Sequence, residues 1–274
     1  MRQRGFTALE AVIILVVVML LGLGAWFVLA KNNNSNEGSS NVTWNFDGSD
    51  WQAGATPPTC PDPLVFPYTP VDAALVSSLL FPGQYRGNHY KAHGGFRFDG
   101  SKASDISVRL PMDAQLTGLT RYLEGGELQY LATFTNSCGI MLRFDHLSTL
   151  SHDLQAVAET AAEPKEGDTR GLPIENGPMF KAGEVIATAV GLPEQENIFV
   201  DFGVYDLRTP NQISQNQDWA YIHAPEKEQT YYGVCWFDML PDPAKSAVHK
   251  LAMLQADEGE VSDYCDISKV TTLD

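Results

Sequence analysis

Between Lys91 and Gly100 the chain reads Lys-Ala-His93-Gly-Gly-Phe-Arg97-Phe-Asp99-Gly, placing an imidazole, a guanidinium and a carboxylate in one short run. A neutral imidazole is a metal ligand, and near pH 7 it also relays protons. The alternating apolar residues around these groups predict a strand with His93 on one face, and they put Arg97 and Asp99 together on a face. Two later groups of the same kind stand in apolar runs: His146 in Arg143-Phe-Asp-His-Leu, and Asp201 in Ile198-Phe-Val-Asp-Phe-Gly-Val-Tyr205-Asp206. His89, His152, His223 and His249 belong to no motif and read as surface or satisfied polar residues. The chain shows no Ser-His-Asp ordering, phosphate loop or nucleotide fingerprint, and its cysteines lack a nucleophile signature.

The elements that must carry these groups are mostly strands. From Tyr90 to Tyr205 short apolar runs are separated by turn signals at Gly94-Gly95, Asp99-Gly100, Glu124-Gly125-Gly126 and Ser137-Cys138-Gly139. This spacing predicts a mainly β fold, an antiparallel sandwich or barrel, over a βαβ arrangement. Trp44–Tyr68, rich in proline, predicts short edge strands and an irregular wrap. Val71–Leu80 reads as a short helix ended by Pro82-Gly83. The spacing of Leu147, Leu150, Leu154 and Val157 predicts a helical segment after His146, followed by an exposed loop over Glu159–Gly177. Tyr231–Met239 reads as a strand. A C-terminal helix is expected from Asp242 to Gly259, with Ala244, Ala247, Val248, Leu251 and Leu254 on one face.

The order of these motifs resembles the LytM/M23 family of zinc endopeptidases, which cleave peptidoglycan cross-links on a β-rich duplicated hybrid motif. The likeness rests on the His93-Gly-Gly-Phe-Arg97 stretch, the Leu110-Pro-Met-Asp113 turn, Phe144-Asp-His146-Leu, the Gly183-Glu-Val-Ile186 turn and strand, and Phe199-Val-Asp201. It covers about residues 80–211. The resemblance implies that His93 is the first metal ligand and His146 an acid/base residue. It also puts Arg97 where the family has an aspartate ligand, Asp201 where it has the second ligand of His-x-His, and Phe199 where it has a catalytic histidine. Two readings follow. In one, His93, Asp99 and Asp201 form a shifted zinc site served by His146. In the other, which the substitutions favour, Arg97 pairs with Asp201 in the old cleft, no cofactor is held, and the domain does not hydrolyse anything.

Composition sets the surroundings. The 274-residue chain is 44% hydrophobic and 19% charged with a formal charge of −16, which argues against nucleic acid and anionic membrane surfaces as partners. Ala11–Ala30 is a run of twenty uncharged residues, about 30 Å as a helix, enough to cross a bilayer. Arg2 and Arg4 precede it, so the N-terminus is expected in the cytoplasm and the body outside. This segment resembles a type IV prepilin signal. The resemblance implies cleavage between Gly5 and Phe6, methylation of Phe6, and Glu10 as the buried acidic residue of such helices. Residues 31–43, rich in Asn and Ser, then read as a flexible tether to a β-rich body over 44–274.

Cys60, Cys138, Cys235 and Cys265 all lie on the side expected to be outside, where an even count predicts disulfides. Three pairings exist. Cys235–Cys265 is favoured because it would staple the C-terminal helix to its neighbour, which leaves Cys60–Cys138. The sequence thus leads to a single-pass, extracytoplasmic, non-catalytic M23-like domain that binds or scaffolds at the cell envelope. Its expected partners are the membrane, and peptidoglycan or an envelope protein. Alternatives are a divergent zinc metallopeptidase acting on peptidoglycan, and a minor pilin-like subunit engaged by pilin-type assembly machinery.

Overall fold

The structure is a computed structural model that describes residues 42–170, 172–251 and 261–265. The leader, with Gly5, Phe6 and Glu10, the apolar span and most of the tether lie outside the described residues. Among the described residues no helix is long and apolar enough to cross a membrane.

A hairpin of β1 (Trp44–Phe46) and β2 (Trp51–Ala53) opens the body, followed by β3 (Ser78–Leu80) and a second hairpin, β4 (Gln84–Arg86) and β5 (His89–Lys91). The main sheet is built from β3 together with β6 (Gly94–Arg97), β7 (Val108–Arg109), β8 (Ala114–Glu124), β9 (Glu127–Thr135) and β10 (Ile140–Leu150). After helix α1 (His152–Ala158) it is completed by β11 (Leu172–Pro173), β12 (Met179–Phe180), β13 (Val185–Val190) and β14 (Phe199–Asp206). The strands run β11-β8-β9-β10-β14-β6-β3, with β12 on β8 and β13 joining β10 to β7, and every pairing is antiparallel. Short helices α2 (Gln217–His223), α3 (Lys227–Thr230) and α4 (Ala244–Val248) follow β14.

Alternation divides the sheet into two faces. Phe96, Phe134, Leu142, Phe144, Val200, Phe202 and Val204 enter the main core with Trp236 and Phe237. The residues between them, including Gly95, Arg97, Arg143, Asp145, Asp201, Gly203 and Tyr205, face the other way. That second face carries the candidate site.

Several expectations change in the folded chain. Val71–Leu80 holds only a 3-10 turn over Ala73–Leu75 before β3, because pairing with β6 outweighs the helical spacing. Gly94-Gly95 is not a turn but the start of β6, where the missing side chains allow close approach: a Cβ on Gly95 would stand 2.6 Å from the Val200 carbonyl oxygen. Tyr231–Met239 forms no strand. Trp236 and Phe237 are consecutive yet both buried, which a strand with opposed faces does not provide, and they turn into a 3-10 segment over Phe237–Met239. The described part of the C-terminal helix spans Ala244–Val248, and Asp242 accepts a bond from the Ser246 hydroxyl, while residues 252–260 lie outside the described residues.

Both disulfides are present as Cys60–Cys138 and Cys235–Cys265, and there is no free cysteine. The first ties the proline-rich wrap to the β9–β10 turn. The second fastens Val261–Cys265, where Ser262 donates to the Pro82 carbonyl and the Asp263 N–H to that of Gly83.

Candidate functional site

The site grows from one irregularity in β10. Phe144 pairs with Ala132 and Leu147 with Tyr130, so β10 uses one more residue than β9 over this stretch, a β-bulge. His146 occupies it in the left-handed region at φ 61°, which a non-glycine residue adopts at a cost. The extra residue restores Leu147 to the core and leaves Asp145 and His146 both directed at the polar face. The Gly191 N–H donates to the His146 carbonyl at 2.8 Å and anchors the bulge.

His93 arrives from the short link between β5 and β6, its carbonyl held by Arg86 Nη2 at 3.0 Å. Its Nε2 lies 3.0 Å from Asp201 Oδ2, and its Nδ1 lies 2.7 Å from Nη1 of Arg143. A guanidinium only donates, so Nδ1 accepts and the ring proton sits on Nε2, directed at Asp201. Arg143 Nη2 donates to Asp145 Oδ2 at 2.8 Å. Asp145 Oδ1 takes the Tyr122 hydroxyl at 2.8 Å and the His146 N–H at 2.9 Å. The His146 ring has looser neighbours: Nε2 is 3.8 Å from Asp201 Oδ2, Nδ1 is 3.6 Å from Glu124 Oε2, and Phe199 lies alongside with ring centroids 4.3 Å apart. Gly95 faces Asp201 across the ladder, and Gly203 leaves the room that His93 fills, since a Cβ there would stand 3.0 Å from that of His93.

This network is nearly closed to water: His93, Asp145, His146 and Asp201 are each no more than 9% exposed. Burial, with Arg143 beside it, pushes the His93 imidazole down to about 4, so the ring is neutral at pH 7. Burial alone would raise the Asp201 carboxyl, but His93, His146 and Arg86 outweigh it and hold it below the usual carboxylate range. Burial opposes the charge on Arg143 as well, but Asp145, Tyr205, Asp201 and Tyr122 together outweigh it and hold the guanidinium above its ordinary value. Tyr122 is raised by burial and by the adjacent Asp145 carboxylate, which keeps it a hydroxyl donor.

The structure brings together His93, Asp201 and His146 and leaves the other expected residues apart. Arg97 does not pair with Asp201. It stands opposite Phe199, two cross-strand pairs away from Gly95 and Asp201, a step of ~6–7 Å along the strand. Its guanidinium bonds Asn197 Oδ1 at 2.9 Å and Asp99 Oδ1 at 3.0 Å instead. Asp99, the expected third ligand, is exposed and also receives the Ser77 hydroxyl at 2.9 Å, away from His93. Sequence reasoning missed Arg86, Tyr122, Arg143 and Asp145 as site residues. The Arg143-Phe-Asp145 alternation held a signal for two of them, while Arg86 and Tyr122 join only through the fold. No protein-family model matches this chain, and no curated protein does. The M23 resemblance therefore stands on its motif residues alone.

Proposed function

We propose that the body is a non-catalytic M23-like domain, held outside the cytoplasmic membrane by its N-terminal segment, that binds or scaffolds at the cell envelope. The observation that carries this reading is the saturation of His93: one ring nitrogen accepts from Arg143 and the other donates to Asp201. As arranged, the donor set does not fit zinc. Asp145, His146 and Asp201 offer ligand atoms within 4.8 Å of one another, the one such grouping among the described residues and the one that favours the metallopeptidase alternative. Yet three donors already occupy the Asp145 oxygens, and one of them is a guanidinium, whose charge would repel the ion. The two disulfides suit an oxidising compartment, in keeping with an extracytoplasmic body.

The test uses the full chain in detergent micelles, incubated with insoluble peptidoglycan and with glycyl cross-link peptides. Retention on the wall material without cleavage is expected. Cleavage that disappears in His93→Ala would restore the enzyme. Mass spectrometry of the mature N-terminus tests the prepilin-like processing, with methylated Phe6 as the expected first residue.

A further inference from the structure

We infer that Arg143 stands in the position of a metal cation, and that its guanidinium keeps this side-chain cluster from being a divalent-metal site. The inference rests on the non-catalytic reading above and names the residue responsible for it.

A metal-bound histidine ordinarily donates its second ring N–H to a carboxylate, which fixes the tautomer and aims the free lone pair at the ion. His93 has that arrangement: Nε2–H meets Asp201 at 3.0 Å, and Nδ1 presents its lone pair to a cation. The cation is Arg143. Asp145 Oδ2 faces the same guanidinium at 2.8 Å, so an imidazole nitrogen and a carboxylate oxygen converge on one positive group. Imidazole and carboxylate together are a donor set that takes zinc.

Charge balance assigns the role to Arg143 and not to its neighbours. Among the described residues, two buried carboxylates, Asp145 and Asp201, and two largely buried guanidinium groups, Arg143 and Arg86, meet around His93. Arg86 is spent on the carbonyls of Phe81 and His93, so it belongs to the scaffold. Arg97 is turned away to Asn197 and Asp99. Of these three, Arg143 alone lies between an imidazole nitrogen and a carboxylate oxygen. Replacing it by a neutral side chain leaves a buried carboxylate without its counter-charge, a deficit that a divalent ion can fill. Beside Asp145, His146 and Asp201 have ligand atoms within 4.8 Å of it and of one another, so further donors stand next to the carboxylate that Arg143 now neutralises.

The experiment measures zinc bound per chain, after chelation and dialysis, for the full chain in micelles and for Arg143→Met, Arg143→Gln and Arg143→Lys. Wild type and Arg143→Lys are expected to retain none. Arg143→Met and Arg143→Gln are expected to hold about one zinc per chain, lost again when His93→Ala is added, and to melt at a higher temperature with zinc than without. Should the neutral variants fold only when zinc is supplied, that supports the inference, because a merely structural arginine would not be replaced by an ion. Neutral variants that fold with both disulfides intact and bind no zinc overturn the inference and leave the non-catalytic reading standing. Neutral variants that stay unfolded with zinc present overturn it equally, as does zinc binding by Arg143→Lys. Wild type holding one zinc per chain that His93→Ala removes overturns both.

Discussion

Arg143 Nη1 lies 2.7 Å from His93 Nδ1, a contact between residues 50 apart in the chain. Because arginine only donates, this bond sets the imidazole tautomer, and the tautomer makes Asp201 the acceptor on the far side. One guanidinium thereby orders β10, the entry to β6 and the centre of β14.

Acid should loosen this arrangement. His93 titrates near 4 in the fold against 6.5 ordinarily, so the unfolded chain takes up its proton first as pH falls. Its contribution is fully present above about 6.5 and is lost between about 6.5 and about 4, on the order of 3 kcal/mol. Asp201, also lowered, adds a further loss as pH drops below 3.8. Melting temperatures across this range should slope less in His93→Gln than in wild type. Equal slopes would show that His93 is not the group responsible.

Substitutions at the bulge should depend on backbone conformation more than on side-chain size. His146→Gly is expected to be about 1 kcal/mol more stable than His146→Ala, since alanine still bears the cost of the left-handed conformation at φ 61°. Denaturant unfolding of both variants measures the difference, and alanine equal to or better than glycine would contradict it.

Gly95→Ala should destabilise the fold by on the order of 2 kcal/mol or more. The added methyl would meet the Val200 carbonyl at 2.6 Å and the Asp201 side chain at 3.1 Å, and both belong to the central β14. Gly126→Ala is the contrasting control. It has open space around it but carries φ 82°, so only backbone strain opposes it. Urea midpoints falling no further for Gly95→Ala than for Gly126→Ala would refute the packing argument.

Under denaturing, non-reducing conditions, alkylation should label none of the four cysteines, and proteolysis should recover Cys60 with Cys138 and Cys235 with Cys265. Each bridge is expected to contribute ~2–4 kcal/mol. Losing Cys235–Cys265 should also free the Val261–Cys265 segment, which hydrogen exchange at the Asp263 and Tyr264 amides would register.

Much of the architecture was legible in the chain because period-two alternation and turn residues are local signals. The antiparallel β body was read from them, the helical segment after His146 from helical spacing, and the cysteine pairings from an even count together with the expected C-terminal helix. His93, His146 and Asp201 could be singled out for the same reason, each being a polar residue in an apolar run. What lay beyond reach depended on register. Whether Arg97 or His93 meets Asp201 is decided by which residues pair across β6 and β14, and a displacement of two cross-strand pairs sends Arg97 to Asp99 and Asn197. Asp145 and His146 share a face only because a bulge breaks the alternation that sequence reading assumes. Arg143, which sequence reasoning passed over, becomes the centre of the site when β10 is laid beside β14 and the His93 link folds over them. Residue types and spacing determined which groups were available; long-range strand pairing decided which of them were brought within hydrogen-bond distance, because contact energies fall off over a few ångströms while the chain between them spans dozens of residues.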